Sequence, residues 1–201
     1  MVDDRIPCPV STHTHLDSQI WDASEYPNDI VSWLLKAYVE QDVSAPPSEA
    51  ALHEDSRVVI VAGSETTATT LASILFYLAK YPAVLVKLQR YLDHAMPGGS
   101  GDWNYEKVKT ITFLDDIINE SLRLRPAVMT GGYRVTPDEG LQIDEVHIPG
   151  DVNVFVPVQL IQTDERYYQD AHQFIPERWG ERRERMGTDG APFMPFVLGK
   201  T

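Results

Sequence analysis

The feature that most constrains the fold is a long run without proline, residues 48–81, which lies between Pro47 and Pro82. Proline interrupts helices, so this run predicts one long helix that begins near Ser48, a residue type that caps helix starts. The later part of the run is apolar except where the sequence reads AGSETT. Gly63 and the threonines beside it weaken a helix locally, so we expect a bend or a widened turn there.

The rest of the hydrophobic pattern predicts shorter helices followed by a small β-sheet. Apolar residues recur at helical spacing in three further segments, 27–41, 82–96 and 112–124. After Pro126 the pattern changes, and it predicts strands at 131–135, 141–148 and 152–158, a helical turn at 163–168, and ordered coil from 173 to 201. The predicted fold class is therefore mainly α with a small β-sheet, an α+β chain.

The domain organisation follows from the same pattern. Residues 1–26 mix prolines, histidines and acidic residues without a period, which predicts an unstructured N-terminal segment. That leaves 27–201 as one partial domain. The single cysteine, Cys8, excludes an intrachain disulfide framework and a cysteine zinc site within these residues.

Charge and hydropathy exclude some classes of partner. Seventeen basic and thirty acidic side chains give a net charge of −13, which argues against nucleic acid as a partner and against adsorption to anionic lipid. Residues 58–79 are long enough to span a bilayer. Glu65 lies at their centre, however, where a carboxylate costs roughly 2.5–3.5 kcal/mol on insertion scales. We therefore expect a helix buried in protein, and no membrane anchor in this chain.

Two short patterns could carry chemistry. Glu65 beside Thr66 in a buried helix could move protons through a water, and Gly63 would let a large group approach the backbone. The alternative is a helix kink with a solvated glutamate. Glu120 and Arg123, three residues apart, share one helix face and can pair. The alternative is a surface ion pair of little energetic value.

Three charged clusters are weaker candidates. Asp115 and Asp116 begin an acidic run that could hold Mg²⁺ for diphosphate chemistry, but the matching second acidic motif is absent from the sequence. His13, His15 and Asp17 could bind a metal, although exposed histidines in a terminal segment are the commoner case. The arginines of 182–185 predict a solvated face. We expect no metal site formed by these residues.

The order of the motifs is more specific than any one of them. AGSETT in a long helix, ESLR in a later helix, a small sheet, FIPERW and then PFVLG together resemble the cytochrome P-450 family of haem-thiolate monooxygenases. The resemblance covers residues 27–201. The strand region, RVTPDEGLQIDEVHIPGDVNV, looks most like fungal microsomal members that act on secondary metabolites. The implied fold is a partial cytochrome P-450 fold.

The resemblance implies roles for individual residues. Glu65 and Thr66 match the acid–alcohol pair that delivers protons to dioxygen at the haem. Glu120 and Arg123 match a buried pair that, with Arg178, stabilises the core beneath it. The resemblance also implies five residues near the haem. Ala62 and Gly63 match the helix that passes over it, and Arg134 matches a contact to a haem propionate. Phe196 and Gly199 match the start of the haem-binding loop.

The resemblance also implies an activity and its partners. The parent enzyme inserts one oxygen atom from O2 into a small apolar substrate, with haem b as cofactor. Electrons come from NADPH through an NADPH–cytochrome reductase, at the endoplasmic reticulum membrane.

One departure from the family pattern concerns the iron ligand. The family's loop reads Phe, two residues, Gly, three residues, Cys, and from Phe196 and Gly199 this Cys falls beyond Thr201. We therefore expect the fold to be truncated before its ligand, and the 201 residues alone to be inactive and to retain no haem. The alternative function is a non-catalytic remnant that binds no haem.

Overall fold

The architecture was analysed in a computed structural model that describes residues 28–196. Its six α-helices are α1 (Ile30–Glu40), α2 (Glu49–Lys80), α3 (Pro82–Ala95), α4 (Tyr105–Val108), α5 (Thr112–Leu124) and α6 (Val158–Gln162). Its four short strands are β1 (Arg134–Val135), β2 (Leu141–Ile143), β3 (Val146–Ile148) and β4 (Asn153–Val154). The mainly α-helical class with small β-structure is confirmed. The predicted unstructured segment, 1–26, lies outside the described residues.

Helix ends follow local chemistry. The carboxylate of Asp29 caps α1 by accepting the amide of Ser32 at 2.8 Å, and α1 ends at Gln41, which adopts the left-handed conformation with φ 55°. Pro82 occupies the first turn of α3, where its missing N–H has no cost. The helix α5 spans the predicted residues and ends just before Pro126.

The long helix α2 differs in two ways from the prediction. It is α-helical throughout, so the widened turn expected near Gly63 is not formed. The hydroxyl of Thr70 donates to the Thr66 carbonyl at 2.9 Å within the ladder. We also expected a buried helix, but Leu71 and Leu75 are 55% and 67% exposed. The buried residues of α2 are Leu52, Ser73, Tyr77 and Leu78, so most of its apolar side chains are at least partly exposed.

By length and composition, α2 is the one helix within 28–196 that is able to cross a membrane. An 18-residue window of it has a mean hydropathy of 1.5. The division of the chain into two compact units falls inside this helix, between Ala62 and Gly63.

The strands form two separate antiparallel pairs instead of one sheet. β1 pairs with β4, with Arg134 opposite Val154. The predicted strand 141–148 is wrong: it is the hairpin of β2 and β3, which turns at Asp144 with φ 48°. The predictions for 152–158 and 163–168 are also displaced, because the helical turn is α6 and begins at Val158.

The core of the second unit, Gly63–Thr201, positions α5. The end of α2, α3 and α5 contribute its buried residues, among them Tyr77, Leu88 and Ile117. The ring of Tyr77 stacks on that of Phe174, with centroids 4.5 Å apart and planes 4° from parallel. This stacking ties the coil after residue 173 to the helices.

Candidate active site

A buried ion-pair network lies on one side of α5. Glu120 and Arg123 face the same way on this helix, and Arg178 reaches them from a 3₁₀ turn at Pro176–Arg178. All three side chains are 0% exposed. Arg123 approaches the Glu120 carboxylate with Nε and Nη2, each at 2.9 Å, and Arg178 Nε lies 3.1 Å from both carboxylate oxygens. The pair is therefore not a surface feature.

Every donor of Arg123 has an acceptor. A guanidinium carries five N–H groups, and two of them bond to Glu120. The other three bond to backbone carbonyls at 2.7–3.1 Å, those of Gln162, Ala171 and Gln173. Because a buried guanidinium with unpaired donors is costly, this complete pairing is what makes its burial tolerable.

The remaining partners satisfy the other polar groups of the network. Two guanidiniums face one carboxylate, and Arg178 donates further to the carbonyls of Gln169 and Asp170 at 2.9 and 3.3 Å. Glu120 also accepts the amide of Ile175 and the indole N–H of Trp179, both at 3.0 Å. The sequence analysis named the three charged residues and missed these partners: backbone groups leave no pattern in a sequence, and the FIPERW motif does not show that its tryptophan donates to Glu120.

Tyr168 covers the network with its ring. The guanidinium carbon of Arg123 lies 4.9 Å from the ring centroid and that of Arg178 5.7 Å from it. Burial raises the pKa of Tyr168 to about 12, so its hydroxyl stays protonated, and able to donate, well above neutral pH. It donates to the Pro192 carbonyl at 3.0 Å.

A mostly apolar cavity lies on another side of α5. Its volume is about 440 Å³, within the roughly 300–1,000 Å³ typical of small-molecule sites. Ile118 and Leu122 of α5 form part of its wall. The other lining residues are Thr66, Thr67, Thr70, Leu71 and Ile74 of α2, Ala127 and Val128 after α5, and Pro195 and Phe196. Apart from the threonines these side chains are apolar, so the cavity favours an apolar ligand that meets hydroxyls on one helix.

Comparison with known proteins decides the family. The cytochrome P450 family model matches residues 11–201. The chain belongs to the cytochrome P450 family. It is similar to the cytochrome P450 monooxygenase eupD of Phoma sp, at 49% identity over 86% of this chain and 59% of that protein. It is also similar to the cytochrome P450 monooxygenase orf5 of Eupenicillium brefeldianum, at 39% identity over 95% of this chain and 40% of that protein.

A third relative has a more specific name. Tryprostatin B 6-hydroxylase of Aspergillus fumigatus is 36% identical over 72% of this chain and 26% of that enzyme. The chain thus spans between about a quarter and three fifths of the curated relatives that we compare here.

Only some of the predicted P450 site residues line the cavity. Thr66 and Phe196 line the cavity. Glu65, Ala62 and Gly63 are exposed on α2 and do not line it. Arg134 does not line this cavity either. Arg134 is exposed and donates to the Tyr133 carbonyl at 2.8 Å, and Gly199 lies outside the described residues.

The cavity suits the apolar part of a haem. Its walls offer aliphatic side chains to a macrocycle, and the Thr66 side chain forms part of its rim. The residue that would hold the iron is not among residues 28–196, which contain no cysteine. The fit between cavity and haem therefore concerns the apolar face of the macrocycle and not the ligation of the iron.

The acidic run of α5 forms no metal cluster. Within residues 28–196 there is no group of three His, Cys, Asp or Glu placed to hold a metal ion. Burial, with the negative charges of Asp115 and Glu177, raises the pKa of Asp116 to about 6. Asp116 packs against Gly180, where an added Cβ would lie 2.5 Å from the carboxylate oxygen. The glycine at 180 therefore leaves the room that the Asp116 carboxylate occupies. The histidine pair His13 and His15 lies outside the described residues.

Proposed function

We propose that this chain forms part of a haem-dependent monooxygenase that inserts one oxygen atom from O2 into a small apolar substrate. Membership of the P450 family supports the reaction class. The observation that carries the proposal is the apolar cavity between α2 and α5, with Thr66 in its wall. When bound, the haem supplies the activation of dioxygen.

The walls of the cavity offer apolar surface to the haem and to a substrate bound beside it. Leu71 and Ile74 of α2 face Ile118 and Leu122 of α5 across it, and Val128 adds to the wall after α5. Apolar walls bind an apolar substrate in proportion to the apolar area that binding removes from water, about 25 cal/mol per Å². Displacement of water by the bound ligand also strengthens the electrostatic effect of the few polar groups that line the cavity.

Glu65 and Thr66, at the centre of α2, act in sequence in a proton relay. Successive residues of a helix point about 100° apart. Glu65 is exposed, and Thr66 lines the cavity. In our proposal the carboxylate of Glu65 takes a proton from solvent, and a water passes it to the hydroxyl Oγ1 of Thr66. Thr66 then donates it inside the cavity, where the reaction consumes protons.

The buried network stabilises the scaffold that carries these walls. Glu120 and Arg123 alternate along α5 with Ile118 and Leu122, which line the cavity. Fixing one side of the helix through the network therefore fixes the other side as the cavity wall. Mutation of the network should reduce the amount of haem bound before it affects any single chemical step.

The partners follow from the family and from the names of the relatives. Electrons come from NADPH through an NADPH–cytochrome reductase, and the complete enzyme works at the endoplasmic reticulum membrane. The substrate is a secondary metabolite with a largely apolar body. The name of one relative, tryprostatin B 6-hydroxylase, supports insertion of oxygen into an organic substrate.

The test uses a completed protein, in which flanking sequence of the Eupenicillium brefeldianum relative extends this chain at both ends. It should bind haem and give the shifted reduced-CO Soret band that marks thiolate ligation. Substitution Thr66→Ala should then keep haem and NADPH consumption but lower product per NADPH, with hydrogen peroxide rising in proportion. A lost proton donor typically costs about 10²–10⁴ in rate.

The matched control is Thr69→Ala. Thr69 lies on the same helix, is exposed, and does not line the cavity. Both variants are assayed with one apolar probe compound, chosen by the spectral change that it causes on binding. If Thr66→Ala forms product per NADPH as well as Thr69→Ala does, the relay assigned to Thr66 is wrong. A completed protein that never binds haem would contradict the proposed function itself.

A further inference from the structure

Gln162 joins the network to a distant part of the chain. It is the last residue of α6 and is 0% exposed. Its Nε2 donates to the carbonyls of Leu122 and Arg123 at 3.2 and 3.1 Å. These carbonyls lie in the last turn of α5, where helix carbonyls lack intrahelical partners. On its other side, Oε1 accepts the amide of Met194 at 2.8 Å.

The segment that Gln162 reaches is held at three successive residues. The Tyr168 hydroxyl donates to the Pro192 carbonyl at 3.0 Å. The rings of Trp179 and Phe193 lie with centroids 4.4 Å apart. Gln162 accepts the amide of the third residue, Met194. Each of these three anchors also touches the network: Tyr168 lies over both guanidiniums, Trp179 donates to Glu120, and Gln162 donates to the Arg123 carbonyl.

The next two residues belong to the cavity. Pro195 and Phe196 line its wall. The backbone position of Met194 therefore sets where this part of the wall lies. Of the three anchors, only Gln162 holds this backbone through a polar contact to the residue directly before the wall.

We propose that Gln162 is a positioning residue that sets Pro195 and Phe196 in the cavity wall by joining the last turn of α5 to the amide of Met194. The carboxamide suits this role because it has donors at one end and an acceptor at the other. A side chain of only one kind could satisfy the α5 carbonyls or the Met194 amide, but not both. The consequence for a bound haem rests on the proposed function, whereas the placement of the backbone does not.

Hydrogen exchange in the completed protein tests the proposal. Proline has no amide hydrogen, so a peptide of residues 192–196 reports only on Phe193, Met194 and Phe196. In the wild type, the Met194 amide should be as protected as the Ile175 amide, which donates to Glu120. Gln162→Met, which keeps the side-chain length without polar atoms, should speed Met194 exchange roughly tenfold.

The matched control is Gln159→Met. Gln159 lies on the same helix and donates to the neighbouring Leu124 carbonyl at 3.3 Å, rather than to the 192–194 segment. This variant should leave Met194 exchange unchanged. Gln162→Glu retains an acceptor oxygen, so it should restore protection of Met194 even where it lowers global stability.

Each result bears on the proposal. Unchanged Met194 exchange in Gln162→Met, equal effects of Gln159→Met, or lost protection in Gln162→Glu would each overturn it. If Gln162→Met yields no soluble protein, the wild-type measurement decides: an unprotected Met194 amide overturns the proposal. Because exchange needs no haem, a completed protein that shows the expected pattern but binds no haem would contradict only the proposed function.

Discussion

Replacing Arg123 by lysine tests the energetic role of the buried network. The substitution keeps the positive charge and removes only the planar fork of donors. Arg123 uses its five N–H groups on Glu120 and on three backbone carbonyls. A lysine ammonium has three donors, so at least two of these five contacts are lost.

The expected cost follows from that count. Each buried polar partner left unpaired costs about 1–3 kcal/mol, so two of them cost about 2–6 kcal/mol. Removing the charge altogether, as in Arg123→Ala, falls within the same range, about 3–5 kcal/mol. A typical domain is stable by about 5–15 kcal/mol, so Arg123→Lys should remove a large share of the total.

Urea unfolding of the completed protein measures this cost. Arg123→Lys should lower the unfolding midpoint by roughly 1 M or more, with the slope unchanged. The matched control is Arg166→Lys, because Arg166 also makes bidentate contacts, to Asp164, but its side chain is 78% exposed. The control should leave the midpoint unchanged. Equal midpoints for the two variants would refute the reasoning that the fork is essential.

Two further predictions concern stability. The pKa of Asp116 is raised from its ordinary value of 3.8 to about 6 in the folded protein, so binding of a proton by this carboxyl favours the folded state. This contribution to the free energy of unfolding is complete below pH 3.8 and is lost as the pH rises through 6. Asp116→Asn should therefore raise the melting temperature at pH 7 and flatten its pH profile between these values, whereas exposed Asp93→Asn should do neither. Gly131→Ala should cost about 1–3 kcal/mol in a thermal melt, because Gly131 has φ 67° and its added Cβ would lie 2.5 Å from the Val156 carbonyl. Gly187→Ala, at φ 64° in open space, should cost less; an equal loss would mean that the clash is unimportant.

The helices were the most predictable part of the fold. Prolines mark their limits: Pro82 begins α3 and Pro126 follows α5, and both helices lie within one residue of the predicted bounds. The hairpin was missed because its turn carries no glycine signal. Asp144 adopts the left-handed conformation itself, and Gln142 donates to its carbonyl at 2.8 Å.

The site was predictable only in its charged residues. Spacing puts Glu120 and Arg123 on one helix face, the family resemblance adds Arg178, and the structure brings the three together. Gln162 and Trp179 act through contacts between residues 32–59 positions apart in the chain. Gln162 belongs to no motif named from the sequence, and Trp179, although part of FIPERW, gives no sign of its partner, so their roles become visible only when the chain is folded.

The separation of the network's partners along the chain has a consequence for folding. Glu120 and Arg123 lie within one helix turn, but their other partners come 39–59 residues later. Until that later segment docks, the Arg123 guanidinium has to stay in water, since burial without the carbonyls is costly. We therefore expect α5 and the segment that carries its later partners to fold together in one all-or-none step. Slow closure of this long loop has to come before the network's contacts can stabilise the fold. A ribosome-bound chain that has not yet emerged past Trp179 would hold the network open and keep α5 accessible to chaperones and proteases.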